Sequence, residues 1–244
     1  FLYTLLILKG ETAVQYASVI RGQFCSRPNR FLAVVRIGGQ EEIVHVKNTG
    51  RCRELLIPEC TVYLSRSDNP NRKTKYDLIA VEKQREGKPP LLINLDSQIP
   101  NAAAAEWLET GSLFSANAVF RREVTHGSSR FDFSIMDGNI QSFLEVKGVT
   151  LEQDGIALFP DAPTLRGVKH LQELTACQQA EIPAYLLLVI QMKEIRAFRP
   201  NDAMHPQFGE ALRRAAAAGV TLLARDCIVT PDSITIDAPV PIQL

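Results

Sequence analysis

Residues 130–147 read RFDFSIMDGNIQSFLEVK, and this stretch decides the fold of the second half of the chain. Arg130–Met136 and Ile140–Lys147 are rich in β-branched and aromatic residues, as strands are. Between them stands Asp137-Gly138-Asn139, and an Asp-Gly pair is a strong signal for a tight hairpin turn. The stretch therefore predicts two antiparallel strands joined by a short turn.

Helical and apolar segments surround this hairpin in an order typical of an α/β domain. The run Ala184–Gln191 is apolar throughout, which favours a strand buried on both faces. A long loop is expected after Lys147, ending at Phe159–Pro163. The other predicted elements are helices at Asn101–Glu109, Thr164–Ala180 and Pro206–Ala218 and a strand at Val220–Arg225. We expect residues 99–244 to form one α/β domain.

The first third of the chain has a different sequence pattern, in which short β-rich runs are separated by turns. Gly38-Gly39 marks one hairpin turn. About five short strands in some 95 residues favour a small OB-like barrel over residues 1–98. The predicted strands are Ala13–Arg21, Phe31–Ile37, Glu42–Val46, Thr61–Arg66 and Tyr76–Glu82. The predicted fold class is thus an all-β barrel followed by an α/β domain.

The composition is that of an ordinary globular protein, with 244 residues, 45% hydrophobic and 22% charged. These values exclude disordered, collagen-like and coiled-coil chains. The net charge is zero, but residues 1–99 carry 15 Lys and Arg against 10 Asp and Glu, whereas residues 100–244 carry 12 against 17. A basic half beside an acidic half is a hint of an anionic partner for the first.

The five cysteines form no CxxC pair and no zinc-like cluster, which favours a reduced protein with inert thiols. The apolar run Phe1–Leu8 is far shorter than the ~20 residues of a membrane span, and no signal peptide is recognisable. The expectation is a cytoplasmic protein with no membrane partner.

The chemistry-bearing residues are Asp132, Glu145 and Lys147. Glu145 and Lys147 are two apart on a strand and share a face, and the hairpin can bring Asp132 to the same end. Two carboxylates and a carbonyl suit Mg²⁺ or Mn²⁺, and a nearby lysine suits metal-dependent phosphodiester cleavage. The alternative is a plain solvated Glu–Lys pair.

The chain resembles the sugar fermentation stimulation protein A family from about residue 17 onward. The segments that carry the resemblance are 27–31 (RPNRF), 45–50 (HVKNTG), 129–132 (SRFD), 144–151 (LEVKGVTL) and 159–170 (FPDAPTLRGVKH). The resemblance implies an N-terminal OB-like domain, a nuclease-like domain of the PD-(D/E)XK superfamily, and DNA binding. Asp132, Glu145 and Lys147 fall on the superfamily's motif positions, with Asp132 and Glu145 as metal ligands. Phe131 stands where the superfamily pattern has proline.

Three further residues are accessory candidates. The resemblance makes Glu106 a candidate third acidic residue, and an ordinary surface glutamate beside Trp107 is equally open. Arg166 and His170 lie four apart at the start of a helix, so they share a face directed either to the site or to solvent.

Basic residues are concentrated between Arg21 and Lys75, where phosphate contacts with double-stranded DNA are expected. Phe24, Phe31 and Tyr63 are the only Phe, Tyr or Trp residues there, so few side chains are available to stack on the bases of single strands. Asn48-Thr49-Gly50 is either a tight loop approaching a ligand or a simple turn. The DNA-binding candidates are Arg27, Arg30, Lys47, Asn48, Arg51, Arg53, Arg66, Arg72, Lys73 and Lys75.

Two classes of function remain open from the sequence. One is a DNA-binding protein with a Mg²⁺- or Mn²⁺-dependent nuclease-like site and little sequence preference. The other is a non-catalytic DNA-binding regulator of sugar metabolism genes that keeps the nuclease fold. A nuclease directed at RNA is a weaker third reading.

Overall fold

The computed structural model describes residues 14–48, 50–127 and 129–244. The apolar run Phe1–Leu8 lies outside these ranges. The strands are β1 (Val14–Gln15), β2 (Val19–Asn29), β3 (Leu32–Ile37), β4 (Gln40–Val46), β5 (Thr61–Arg66), β6 (Tyr76–Arg85), β7 (Lys88–Asn94), β8 (Val119–His126), β9 (Ser129–Asp137), β10 (Ile140–Val149), β11 (Leu151–Gln153), β12 (Ile156–Phe159), β13 (Ala184–Ile190), β14 (Ala197–Pro200), β15 (Thr221–Val229) and β16 (Ser233–Pro239). The helices are α1 (Ile99–Glu109), α2 (Leu165–Gln179) and α3 (Pro206–Ala217).

Strands β2 to β7 form a barrel with the order β4-β3-β2-β5-β6-β7. A parallel pairing of β4 with β6 at His45–Asp77 and Val46–Leu78 closes it. Alternate residues such as Val35, Val44 and Leu64 point inward and are fully buried, as period-2 strands around a core require. Gly38 and Gly39 both have positive φ, which is the geometry of the predicted β3–β4 turn. The predicted OB-like barrel is confirmed.

The second sheet has seven strands in the order β1-β16-β15-β13-β10-β9-β8. Strands β10, β13 and β15 are parallel neighbours, and β9 and β10 form the predicted antiparallel hairpin. Helix α1 covers one face through Trp107 and Leu108, against Leu144 and Leu187. Helices α2 and α3 cover the other face. The predicted α/β architecture is confirmed, with β13 buried on both sides.

The segment after Lys147 corrects the prediction of a long loop. Strands β11 and β12 form a hairpin there and join β14 in a small third sheet. Asp154 and Gly155 connect them with φ of 50° and 79°. An Asp-Gly pair accepts these two positive angles readily, so the turn is a local property of the sequence.

The first predicted strand is also corrected, because Ala13–Arg21 is divided between the two sheets. Val14 and Gln15 pair with Ile234 and Ser233 on β16, whereas β2 starts the barrel at Val19. The chain therefore contributes one short strand to the second sheet before it builds the barrel.

The barrel and the α/β part are joined by buried polar contacts. Lys83 on β6 donates to the carboxylate of Glu152 on β11 at 2.6 Å. Gln191, directly after β13, donates through Nε2 to the backbone oxygens of Asn94 and Asp96 at 3.0 and 3.1 Å. Ion pairs and amide contacts of this kind have fixed geometry, so the two parts are held in one orientation.

No helix in the described part of the chain has the length and apolar character needed to cross a membrane.

Candidate metal and phosphodiester site

The two hairpin strands separate at Asp132, and this separation creates the site. The β9–β10 ladder ends at Leu144–Phe133, and the next free N–H, that of Val146, donates instead to Asp132 Oδ2 at 2.8 Å. On the other side of β9, Glu123 has φ of 58°, a conformation that costs energy outside glycine. The regular strand is thus interrupted at the residue that carries the first carboxylate.

The packing of Phe131 and Phe133 on opposite faces of the sheet also shows that β9 is interrupted near Asp132. Phe133 packs in the core beneath α1, whereas Phe131 packs in the core beneath α2 and stacks on Phe143. Residues two apart on a regular strand share a face, so β9 rotates between them. The rotation directs the Asp132 side chain toward β10.

Glu145 is the most enclosed acidic group of the site, with a relative exposure of 2%. Its Oε1 accepts a 2.5 Å hydrogen bond from Lys147 Nζ and contacts His170 Nδ1. Its Oε2 is buried and has no hydrogen-bond partner among the described residues. One carboxylate oxygen is therefore committed to protein donors, and the other is available.

The two carboxyl groups have opposite pKa shifts. Burial, followed by the negative charge of Glu145, raises the pKa of Asp132 above its ordinary value. Burial also acts to raise the pKa of Glu145, but the hydrogen bonds and charges of His170 and Lys147 outweigh it and lower that pKa. The pair resembles other neighbouring carboxylates, whose repulsion is relieved when one takes up a proton or a cation.

His170 links Glu145 to Arg166. The imidazole is buried, with 6% exposure, and its Nε2 accepts a hydrogen bond from Arg166 Nε at 3.2 Å. Because Arg166 can only donate, Nδ1 carries the proton and donates to Glu145 Oε1. The structure therefore brings both accessory candidates of α2 to the site.

Helix α2 presents this pair because its first turn is well defined. Thr164 caps the helix, and its hydroxyl accepts a hydrogen bond from the N–H of Gly167 at 3.0 Å. Arg166 and His170 follow at one-turn spacing, so they lie on the same face. That face is turned toward β10.

Glu106 is not brought to the carboxylates. Its surroundings are Glu109 and the backbone of Val14, and burial with the Glu109 charge raises its pKa. The α1 residue that reaches the site is Asn101, whose Nδ2 donates to Asp132 Oδ1 at 2.7 Å. Asn101 and Glu106 are five residues apart, about 140° around a helix, so one helix cannot direct both at Asp132.

The residues present fit a hard divalent cation. A buried carboxylate oxygen without a donor is unfavourable, and Glu145 Oε2 is such an atom. Mg²⁺ and Mn²⁺ favour carboxylate oxygens and keep several water ligands. The described residues contain no cluster of three or more His, Cys, Asp and Glu able to hold an ion. A cation held by Asp132 and Glu145 would therefore need backbone oxygen, water or phosphate to complete its coordination.

Several of the DNA-binding candidates are engaged within the fold. Arg27 donates to the backbone oxygens of residues 30, 48 and 51. Lys47 forms a 2.7 Å ion pair with the buried Asp96. Arg72 binds both carboxylate oxygens of Asp77. The side chains of Arg27, Lys47 and Arg72 therefore stabilise the barrel and its loops.

Asn48 is likewise buried, with both ends of its amide bonded to backbone. The remaining candidates are exposed, and they are Arg30, Arg51, Arg53, Arg66, Lys73 and Lys75. Arg30 lies over the ring of Phe31 at 4.6 Å. We refer to these six exposed residues as the basic surface of the barrel.

Two family profiles match this chain. The profile of the sugar fermentation stimulation protein RE domain matches residues 98–233, and that of the SfsA N-terminal OB domain matches residues 25–88. The first covers strands β8 to β15 and all three helices, and the second covers most of the barrel.

Proteins that align with this chain over more than 90% of its length are named sugar fermentation stimulation protein homologs or SfsA. A sugar fermentation stimulation protein homolog of Desulfitobacterium hafniense (strain Y51) is 55% identical over 221 residues, covering 91% of this chain and 94% of the relative. A homolog of Clostridium beijerinckii is 48% identical over 223 residues, covering 91% and 96%. The structure of Pyrococcus furiosus SfsA in complex with Ca²⁺ matches with a TM-score of 0.83 and 25% identity, covering 95% of this chain and 98% of that one.

Proposed function

Because this chain belongs to the sugar fermentation stimulation protein family, we propose that it binds double-stranded DNA and that Asp132 and Glu145 form a Mg²⁺- or Mn²⁺-dependent phosphodiesterase site. One observation carries the proposal. Glu145 is held on one oxygen by Lys147 and His170, while its second oxygen is buried without a partner beside a second carboxylate. A carboxylate pair of this kind is suited to a metal rather than to structural stability.

The Pyrococcus furiosus relative supports the choice of ion, since its structure was determined in complex with Ca²⁺. Calcium, magnesium and manganese all favour oxygen ligands. Mg²⁺ or Mn²⁺ bound here would polarise a phosphoryl oxygen and lower the pKa of a water molecule.

The residues of the chain have distinct tasks in this proposal. Asp132 and Glu145 hold the cation, and Asn101 and His170 fix the orientation of the two carboxylates. Lys147, whose ammonium lies 2.5 Å from Glu145 Oε1, orients the attacking water and stabilises charge that develops on the phosphate. Arg166 is exposed beside His170 and adds positive charge where the substrate backbone enters.

The exposed basic residues of the barrel supply the proposed contact with duplex DNA. Burial raises the pKa of Asp161 on the α/β part, and the nearby charge of Arg51 offsets only part of this rise. An exposed basic residue of the barrel therefore lies close to the α/β part. Contacts to phosphates position a protein without reading sequence, so little sequence preference is expected.

Nicking of supercoiled plasmid in Mg²⁺ or Mn²⁺ tests the proposal. The wild type is compared with Lys147→Ala, and Lys88→Ala, an exposed lysine on β7, is the matched control. Loss of one group that stabilises developing charge typically costs about 100-fold or more, so Lys147→Ala should lower the nicking rate by that factor. Lys88→Ala should nick like the wild type.

Equal background from the wild type and Lys147→Ala would contradict the enzymatic part of the proposal. Retained DNA binding in that case would favour a non-catalytic regulator of sugar metabolism genes. Stronger binding or cleavage of structured RNA than of DNA would favour an RNA-directed enzyme. Junction, flap and linear DNA in the same assay would identify the preferred substrate.

A further inference from the structure

A small polar cavity of about 160 Å³ lies between the barrel and the α/β part. The barrel contributes Asn48 and Gly50 to its wall, and the α/β part contributes Thr150, Asp161 and Gln191. The sequence alone is compatible with two roles for Asn48-Thr49-Gly50, a simple turn or a tight loop that approaches a ligand. The cavity favours the second interpretation.

Two elements connect this cavity with the carboxylate site. Strand β10 carries Glu145 and, three residues further on, Gly148 in the cavity wall, about 10 Å along a strand at 3.3 Å per residue. Ser97 lines the cavity immediately before α1, the helix whose Asn101 holds Asp132. At 3.4 Å per stacked nucleotide, the cavity is within about three nucleotide steps of a phosphodiester bound at the carboxylates.

The amide groups in the cavity wall leave only oxygen free for a ligand. Gln191 uses Nε2 on the backbone oxygens of Asn94 and Asp96. Its Oε1 is directed toward Gly148, where an added Cβ would lie 2.5 Å away. Both ends of the Asn48 amide are bonded to backbone. Gln191 therefore offers the cavity an acceptor and no donor.

The other polar groups in the wall also supply acceptor oxygens. Ser97 gives its hydroxyl proton to the Lys47 backbone oxygen, whereas the Thr150 hydroxyl can donate as well as accept. Asp161 places its carboxylate so close to the loop that a Cβ at Gly50 would collide with Oδ2, so a side chain there would displace the Asp161 carboxylate. Thr150 is buried and adds a hydroxyl. No lysine or arginine lines the cavity among the described residues. The cavity is thus rich in acceptors and fits a ligand that donates hydrogen bonds.

The polar groups in the cavity wall favour some classes of ligand over others. A phosphate is disfavoured, because it would face the Asp161 carboxylate, and Arg27 and Arg51, whose charges act on Asp161, do not line the cavity. A divalent cation is disfavoured, because Asp161 is the single carboxylate in the wall and no metal-binding cluster occurs in the described residues. A nucleobase with an exocyclic amino group fits best, because adenine, cytosine and guanine each bring an amino group with two N–H donors, whereas thymine has no amino group and offers a single ring N–H.

We propose that the cavity binds the base of an unpaired nucleotide near the scissile phosphodiester, with preference for adenine, cytosine or guanine over thymine. The inference rests on the DNA binding in the proposed function and narrows its substrate to duplexes that contain an unpaired nucleotide. Enzymes that act on unstacked bases read them through hydrogen bonds to the base edge. Asp161, Gln191 and Thr150 are the groups that make these contacts.

Fluorescence anisotropy with labelled duplexes tests the inference. The probes are a fully paired duplex and four duplexes that differ only in a single bulged A, C, G or T, all in EDTA so that metal-dependent cleavage cannot occur. The proteins are the wild type, Thr150→Val, Asp161→Asn and the control Thr221→Val, which changes an exposed threonine of β15. Thermal melting checks that each variant is folded.

The wild type and Thr221→Val should bind bulged A, C and G about fivefold or more tightly than bulged T or paired DNA, the low end for one good base contact. Thr150→Val and Asp161→Asn should lose this preference and keep the wild-type affinity for paired DNA. Equal wild-type affinity for all five duplexes, or an unchanged preference in both variants, would overturn the inference.

The outcomes separate this inference from the proposed function. Binding of paired DNA without a bulge preference rejects only the cavity as a base site. A clear bulge preference in a protein that nicks no plasmid rejects only the phosphodiesterase activity. Failure to bind any of the five duplexes rejects both.

Discussion

Asn101 on α1 donates a 2.7 Å hydrogen bond to Asp132 on β9, across the boundary between a helix and the sheet it covers. The same carboxylate accepts the Val146 N–H through its other oxygen. Each oxygen of Asp132 thus has one fixed protein donor and a further lone pair for a ligand. Contacts of this kind orient a metal ligand without touching the metal.

Replacing Asn101 by alanine should therefore weaken metal binding without removing a ligand. Loss of a group that orients a metal ligand typically costs 10–100-fold in affinity, and we expect a change of about tenfold for Mn²⁺ by calorimetry. Asn71→Ala, at an exposed loop position, is the control. Unchanged Mn²⁺ affinity in Asn101→Ala would show that Val146 alone suffices to orient Asp132.

Metal binding should depend on pH through Asp132. Burial and the Glu145 charge raise the pKa of Asp132, so at mildly acidic pH part of the population is protonated and Mn²⁺ must displace the proton. Because His170 and Lys147 lower the pKa of Glu145 despite burial, that group stays ionised over the same range. The rise in melting temperature caused by Mn²⁺ should be smaller at pH 5 than at pH 7.5.

The control for this pH dependence is Asp132→Asn, which removes the titrating ligand. It should show little stabilisation by Mn²⁺ at either pH, since ligands stabilise only in proportion to their affinity for the folded state. A wild-type Mn²⁺ effect that is identical at pH 5 and 7.5 would contradict the assignment of Asp132 as the proton-linked ligand.

His170 should act on metal binding through Glu145. Its Nδ1–H is one of two donors to Oε1, so His170→Ala leaves Lys147 alone to hold the carboxylate and raises the pKa of Glu145. Mn²⁺ affinity should fall about tenfold, and more at pH 5 than at pH 7.5. His170→Gln, which can supply an N–H, should recover part of the loss; equal affinities in all three proteins would refute a positioning role.

The elements predicted correctly from sequence are those with a strong local pattern. The Asp137-Gly138-Asn139 turn and the uninterrupted apolar run of β13 are signals that tertiary contacts do not alter. Strand β8 was not predicted, because it is an exposed edge strand with little alternation. Strand β7 was missed because Pro89 and Pro90 disfavour a strand except at an edge, and β7 is the last strand of its sheet.

The site was predictable where its residues share a hairpin, a strand or a helix face. Glu145 and Lys147 share a strand, and Arg166 and His170 share a helix face, so spacing alone groups them. Asn101 was missed because its contact depends on how α1 lies over β9, and asparagine near a helix start is otherwise ordinary.

The sequence also did not reveal that Arg27, Lys47 and Arg72 are bound to groups within the fold, for a similar reason. Lys47 and Asp96 are far apart along the chain, and charge counting does not reveal such a pair. Burial of an aspartate requires a nearby cation, but the sequence does not say which one. The basic surface is consequently smaller than the count of Lys and Arg suggested.

Arg51→Ala and Arg53→Ala should weaken DNA binding to a similar extent on unrelated sequences. Each phosphate contact that is lost should lower the slope of log affinity against log salt by about 1. Anisotropy titrations at several salt concentrations measure this slope. Arg214→Ala, which changes an exposed arginine of α3, should leave it unchanged, and a wild-type affinity independent of salt would contradict binding through phosphates.

Glu152→Gln should loosen the junction between the barrel and the α/β part. Glu152 is buried and pairs with Lys83 at 2.6 Å, and breaking one side of a buried pair costs about 3 kcal/mol. Burial acts to raise the pKa of Glu152, but Lys83 and the Gly155 N–H lower it overall. Its contribution to stability is therefore complete above the unfolded-state pKa and disappears as pH falls through the lower folded-state value.

Urea unfolding at pH 7 and pH 3 measures this contribution directly. The free energy of unfolding should differ by about 3 kcal/mol between the wild type and Glu152→Gln at pH 7, and the difference should shrink at pH 3, where the wild-type carboxylate is increasingly protonated. Glu86→Gln, at an exposed turn between β6 and β7, is the matched control and should unfold like the wild type at both pH values. A difference for Glu152→Gln that is equally large at pH 3 would show that packing of the side chain, rather than its ion pair with Lys83, stabilises the junction.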